Sequence, residues 1–302
     1  MTILMGVARV CIPTEEPLFP HLPAESRADF AAPLARTDRL SGLALVATER
    51  LLTGRPNLRE KLSGDEVAVV LGTADGSHKT DAAFYCSHLD GQPSPRLFAP
   101  TLPSAPSGEL SIRYRLRGPG FTLCGDRTCG LAAIAEAQRL LWAGLAQACL
   151  VVAVETAGPF SPAPETVDAA VACFLVPHTP SAETAAPASA VSLEAMHEFY
   201  APQSPNAAVA HILSVAAPSV VSCDERTARL TESALAKYSV HRSDAPDGAV
   251  AGLWQLCDLL DPRAATLVCA DSGGNAAAVS MRRLERQMSK PTSADPGPRE
   301  KL

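Results

Sequence analysis

The chain has no excess of positive charge: 26 lysines and arginines stand against 32 aspartates and glutamates, a formal net charge of -6. With no basic footprint to hold a phosphate backbone, nucleic acid is not an expected partner. Its nine cysteines (Cys11, Cys86, Cys124, Cys129, Cys149, Cys173, Cys223, Cys257 and Cys269) include no Cys-x-x-Cys pair. An odd set scattered through apolar segments argues against a disulfide framework and for reduced, mostly buried thiols. No apolar run reaches the roughly 18 residues needed to cross a bilayer. The apolar start, residues 1–11, lacks a basic leader and a cleavage site and reads as a first strand. Residues 72–76, Gly-Thr-Ala-Asp-Gly, have neither the lysine nor the spacing of a phosphate loop. His78, His88, His178, His197 and His211 show no metal-ligand spacing and read as surface or packed histidines. These absences predict a soluble, cytoplasmic protein with no membrane partner, no metal and no cofactor.

What is present is material for a large core. At 302 residues, 47% hydrophobic and 19% charged, the chain suits one big domain or two fused ones. Helical apolar spacing over residues 38–52 stops at Gly54 with Pro56 just beyond. Residues 67–72 are wholly apolar, as in a strand covered on both faces, and a helix over 130–147 is followed by buried-type strands over 148–155 and 167–177. Five prolines within 93–107 predict an extended, irregular loop. Residues 179–190, rich in Ala, Ser, Thr and Pro, read as a surface connection between halves.

Beyond that connection the pattern predicts a strand near 190–194, helices over 206–217, 225–238 and 248–260, and a strand over 265–270. A Gly273-Gly274 turn then leads to a last strand over 276–281. The expected organisation is an α/β half over residues 1–178, a second over 190–287, and a disordered tail over 288–302.

The most informative stretch runs from Gly118-Pro119-Gly120 through Thr122-Leu123-Cys124-Gly125-Asp126-Arg127-Thr128-Cys129-Gly130-Leu131 to Ala133-Ile134. It reads as a strand, a tight turn and a helix start. It resembles the nucleophile turn of the β-ketoacyl synthase family, whose pattern is a Gly-Pro, a short strand, Thr-Ala-Cys-Ser-Ser-Gly-Leu and a helix opening with Ala-Ile. Other segments are similar to that family in the same order: Arg36-Thr37-Asp38-Arg39-Leu40 opening a helix, Val69-Val70-Leu71-Gly72-Thr73 at a strand end, and Ser94-Pro95 with Phe98 and Pro100 in the loop before the nucleophile strand. Further on come Asp168-Ala169-Ala170 and Ser272-Gly273-Gly274-Asn275. The resemblance is good over 1–177 and thin over 178–270. It implies a thiolase-like α/β fold, two similar halves with mixed, mostly parallel sheets layered αβαβα.

Laid without gaps, the family's cysteine falls on Arg127, which cannot act as a nucleophile because a guanidinium stays protonated. A condensing enzyme needs a thiolate at a helix N-terminus and two histidines to stabilise the developing enolate. The family's second-histidine segment falls on residues 237–248, matching Lys237 and Gly248 but putting Arg242 at the histidine. No His-Gly-Thr-Gly-Thr occurs between 190 and 237. An arginine at a helix N-terminus opposes the macrodipole, which predicts a carboxylate partner such as Asp126, Glu136 or another from elsewhere. Arg127 then reads either as a plug or anion anchor in a dead site, or as an outward-facing residue the turn tolerates. Cys129, in the first helical turn, is the alternative nucleophile; Cys124 reads as a core thiol.

Relatives lacking the nucleophile are chain-length factors, which pair with an active ketosynthase and shape its acyl tunnel. The resemblance therefore implies a subunit without catalysis of its own in a 3-oxoacyl-carrier-protein synthase of type II fatty-acid or polyketide biosynthesis. The loop form is also similar to partner subunits of bacterial aryl polyene clusters. The implied partners are an active ketosynthase, through Leu97, Phe98, Leu102, Ile112, Phe121 and Leu123, and, indirectly, an acyl carrier protein. Two rivals are an acyltransferase or hydrolase using a relocated cysteine, and a stand-alone acyl-binding or structural homodimer.

Overall fold

The apolar runs of the sequence become the centre of a ten-stranded sheet in the computed structural model, which describes residues 1–158, 167–187, 190–218, 220–258 and 264–284. In chain order the first half holds β1 (Thr2–Pro13), α1 (Arg27–Leu34), α2 (Arg39–Leu52), α3 (Pro56–Lys61), β2 (Val67–Thr73), α4 (His78–Leu89) and α5 (Pro95–Phe98). It continues with α6 (Ala105–Tyr114), β3 (Gly120–Cys124), α7 (Cys129–Trp142), β4 (Ala148–Glu155) and β5 (Val167–Pro177). After α8 (Pro180–Ala185) come β6 (Val191–Tyr200), α9 (Pro205–Ala216), β7 (Val220–Asp224), α10 (Glu225–Leu230) and α11 (Glu232–Leu235). The second half closes with β8 (Ser239–Ser243), α12 (Val250–Asp258), β9 (Ala264–Ala270) and β10 (Asn275–Arg283).

The strand order, β3-β2-β4-β5-β1-β6-β10-β9-β7-β8, is one pattern used twice. In each half the outer three strands (β3, β2, β4 and β8, β7, β9) run parallel, and the inner strands pair antiparallel. The halves join where Thr2, Ile3 and Leu4 pair with Leu193, Ser192 and Val191.

The continuous apolar runs follow from layering. In β4, Leu150, Val152 and Val154 face a core under α2 and α6, while Cys149, Val151 and Ala153 face a second core around α7 and α12. In β9, Leu267 and Cys269 reach the second core, and Val268 and Ala270 a third beneath α9. A strand covered on both faces has no polar side to show, so it does not alternate. The stack is helix, sheet, helix, sheet, helix. Glycine sets its central spacing: a Cβ on Gly130 would run into the Ala249 carbonyl, and one on Gly252 would come within 2.6 Å of Leu131 Cγ.

Some expected elements are redrawn. The Pro-rich stretch 93–107 is not extended throughout: it holds α5, a short 3-10 turn over Ala99–Thr101 and the start of α6, with Pro95 and Pro106 in first helical turns, where the missing N–H costs nothing. The helix expected to Gln147 stops at Trp142 because Gly144 takes a left-handed φ of 67°. The helix expected over 225–238 breaks into α10 and α11, and the polar segment after it becomes the edge strand β8. The connection 179–190 contains α8, capped where Thr179 accepts from the Ala182 N–H at 3.1 Å. The strand expected over 190–194 extends to Tyr200. Residues 259–260 of the expected last helix and the tail 288–302 lie outside the described residues.

None of the described cysteines forms a disulfide; Cys129, Cys149, Cys173, Cys223 and Cys269 are buried and Cys11, Cys86 and Cys124 exposed. Among the described residues no helix is long and apolar enough to cross a membrane, and no group of potential ligands is arranged to hold a metal.

Candidate functional site: an arginine between two aspartates

The C-terminal ends of the parallel strands from both halves converge on one place. The turn after β3 is shaped by Asp126, whose carboxylate accepts from the Thr128 N–H and hydroxyl, each at 2.6 Å, so α7 starts at once. Arg127, at the tip, does not face solvent: it is 6% exposed and crosses into the second half. Its Nη2 donates to Asp224 Oδ1 at 2.8 Å, its Nε to Asp247 Oδ1 at 2.9 Å, and its Nη1 to Thr227 Oγ1 at 3.0 Å and the Ala270 carbonyl at 2.8 Å.

Each carboxylate is held in turn. Asp224 ends β7, caps α10 by accepting from the Thr227 N–H at 3.0 Å and takes the Thr227 hydroxyl at 2.7 Å. Asp247 is shared with Arg226. Burial alone lowers the pKa of Arg127, but the surrounding acidic groups, Asp224 and Asp247 among them, outweigh it, and the guanidinium is held above its ordinary value. Burial pushes Asp247 up, and Arg127 more than reverses this, leaving its carboxyl below the usual range. Two arginines and two aspartates thus neutralise one another.

Beside this network lies a cavity of about 210 Å³, whose wall includes Asp75, Asp126, Glu155 and Asp271 as well as Arg127 and Arg226. Both arginines are already engaged by aspartates, so the geometry supports a plug rather than an anion anchor. Glu155, at the end of β4, is 8% exposed. Its carboxylate accepts from the backbone N–H groups of Ala74, Asp75 and Ala249, the last at 3.1 Å. Burial pushes its pKa up to about 7 despite these bonds.

The residues singled out in the sequence separate sharply. Arg127 is central, but its partners are neither Asp126, which caps Thr128, nor Glu136, which pairs with Arg139 on α7. Lys237 is exposed, and Arg242, on the edge strand β8, is 59% exposed and bridges Glu225 at 3.3 Å, away from the cavity. Cys129 is buried, its Sγ accepts from the Asp126 N–H at 3.4 Å, and burial first, then nearby acids, push its pKa up to about 11. Cys124 is exposed rather than a core thiol; partial desolvation first, then Glu155 and Asp75, raises its pKa. Asp224, Asp247 and Glu155 went unrecognised. The only signal was an acidic residue ending a buried strand, for Asp224 and Glu155.

The predicted contact residues lie on and around β3, with Leu123 packed against the second core. β3 is an edge strand that pairs with β2 on one side only. Around it Ile112 is 77% exposed, Phe98 and Leu102 are each 62% exposed, and Phe121 is exposed; Leu97 and Leu123 are half-buried. Tyr85 and Leu89 of α4 are exposed as well, and the Phe84 and Phe98 rings, 5.4 Å apart, tie α4 to the loop.

Residues 28–164 match the family model described as beta-ketoacyl synthase, N-terminal domain. No functionally curated protein matches the chain. Among solved structures, the chain is similar to the ishigamide ketosynthase/chain length factor, with 20% identity, a TM-score of 0.76, and 94% of this chain and 99% of that one covered. It is also similar to a type II polyketide acyl-carrier protein complex with its ketosynthase (15% identity, TM-score 0.71, 93% and 99% covered). A third likeness is to a beta-ketoacyl synthase from Burkholderia phymatum STM815 (13%, TM-score 0.69, 94% and 99% covered). At these identities the likenesses show the thiolase-like ketosynthase fold.

Proposed function

We propose that the protein, whose residues 28–164 match the family model of the β-ketoacyl synthase N-terminal domain, is a chain-length-factor subunit without catalysis of its own. It pairs with an active ketosynthase in a type II polyketide or fatty-acid assembly, aryl polyene synthesis among the candidates, and helps shape the acyl tunnel. The observation that carries this reading is Arg127. The helix N-terminus where the family carries its nucleophile holds a buried guanidinium, satisfied by Asp224 and Asp247 of the other half. Arg127 cannot form a thioester, and neither carboxylate can donate a proton to an enolate while ion-paired.

The exposed apolar face around β3 supports the pairing. An unpaired strand edge flanked by Ile112, Phe98 and Leu102 invites a second sheet edge and a second apolar surface. An acyl carrier protein would then serve the pair through the active subunit. The relocated-cysteine reading finds less support, because Cys129 is buried and its thiol is held protonated at neutral pH.

The test is acyl loading, followed by intact mass, when this chain and an active ketosynthase are offered an acyl-carrier-protein thioester. The expected adduct sits on the ketosynthase alone. A stoichiometric acyl adduct on Cys129 would overturn the reading.

A further inference from the structure

The end of α6 and the segment leading from it into β3 carry Arg113, Arg115 and Arg117, on a chain whose net charge is -6. All three are exposed. The Arg113 guanidinium lies 4.0 Å from the centre of the Phe30 ring, and Arg117 reaches Asp65 at 3.4 Å in an exposed pair. An ion pair so open to water binds its members weakly. Among the described residues Arg115 has no ion-pair partner.

The backbone at Arg115 favours a different residue. It caps α6 in the left-handed region, with φ 55° and ψ 41°, its N–H donating to the Ser111 carbonyl. Glycine takes that conformation freely, whereas an L side chain there is strained. Gln203 and Ala217 are the other non-glycine residues at positive φ among the described residues, and neither is charged. Backbone groups hold the segment: the Gly64 N–H donates to the Arg115 carbonyl at 3.1 Å, and the Arg117 N–H to the Gly64 carbonyl at 3.0 Å. The Arg115 guanidinium takes no part in this, so the strain is offset by no ion pair within the subunit.

Ile112, exposed, stands three residues before Arg115, about one helical turn, and the exposed Phe121 follows in β3. The Ser107 hydroxyl, 3.2 Å from that of Thr122, fixes α6 against β3. The arginines therefore edge the apolar surface and open strand edge to which the active ketosynthase is assigned above.

We propose that Arg113, Arg115 and Arg117 form a basic rim that meets carboxylates on the paired ketosynthase subunit, and that Arg115 steers the two together. This rests on the pairing reading and adds the chemistry of the partner's rim. Charges at the edge of an interface act mainly on the encounter rate, and salt screens them.

The test measures association with the active ketosynthase encoded nearest the gene, at about 20 mM and about 500 mM salt, for the unaltered chain, Arg115→Gly and Arg115→Glu. Arg115→Gly relieves the left-handed strain, so the lone variant should melt at about the temperature of the unaltered chain, which separates a lost contact from a lost fold. Arg115→Glu keeps the backbone demand and reverses the charge. At low salt Arg115→Gly should associate several-fold more slowly than the unaltered chain and Arg115→Glu more slowly still, and at high salt the three rates should converge. Equal rates at low salt, or differences that persist undiminished at high salt, overturn the rim while leaving the pairing standing. No heterodimer with the unaltered chain overturns both.

Discussion

Arg127 Nη2 lies 2.8 Å from Asp224 Oδ1, and the two residues are 97 apart in the chain. The pair joins the turn after β3, the outermost strand of one half, to the end of β7, the second strand of the other. The turn that resembles a ketosynthase nucleophile turn is here a clasp between the two halves.

That clasp has a stability consequence. Asp224 is 2% exposed, so Asp224→Ala leaves Arg127 buried with one carboxylate, at a cost on the order of 3–5 kcal/mol. Asp247 is 22% exposed and Arg226 stands beside it, so Asp247→Ala should cost less, about 1–3 kcal/mol. Urea unfolding of both variants checks the order.

Glu155 and Asp247 tilt the pH dependence of stability in opposite directions. The folded pKa of Glu155 is raised to about 7 from 4.5. Its charge is therefore a folding penalty that grows as pH rises from about 4.5 to 7, by at most ~1.4 kcal/mol per pH unit. Protonation lifts this desolvation penalty and raises global stability. Asp247 is held below its ordinary 3.8, so its contribution is present above 3.8 and lost as pH falls through the folded value. Unfolding at a series of pH values should show the neutral-side decline vanish in Glu155→Gln and the acid-side loss shrink in Asp247→Asn.

A cysteine placed at residue 127 should not by itself be acylated. Arg127→Cys places a thiol beside Asp224 and Asp247, two carboxylates that raise its pKa, with no histidine on the cavity wall. Intact mass after incubation with an acyl-carrier-protein thioester should show no acyl adduct at residue 127; stoichiometric loading there would mean that the neighbours are not what silences the turn.

Much of the fold could be read from the sequence, for physical reasons. β2, β4 and β5 are continuous apolar runs because both faces are covered, and α2 and α7 carry helical apolar spacing. β8, Ser-Val-His-Arg-Ser, was hidden because an edge strand of half-exposed polar residues has no period to detect. α5 was hidden because prolines in first helical turns look like loop. At the site, the turn around Arg127 was legible as a strand, a tight turn and a helix start. Its partners were not, because gapless matching pointed to Arg242 while the chain delivers Asp247 five residues later, beyond β8. Contacts between residues as far apart as Arg127 and Asp247 leave no local pattern.

The most direct test of the pairing claim is native mass after co-expression with the active ketosynthase encoded nearest its gene, for the unaltered chain and for Ile112→Asp. Ile112 is 77% exposed, so this change should alter the isolated chain's stability by no more than about 0.5 kcal/mol. A one-to-one heterodimer that Ile112→Asp abolishes is the predicted result. A stable homodimer that ignores the ketosynthase, or a heterodimer indifferent to Ile112→Asp, would contradict the account.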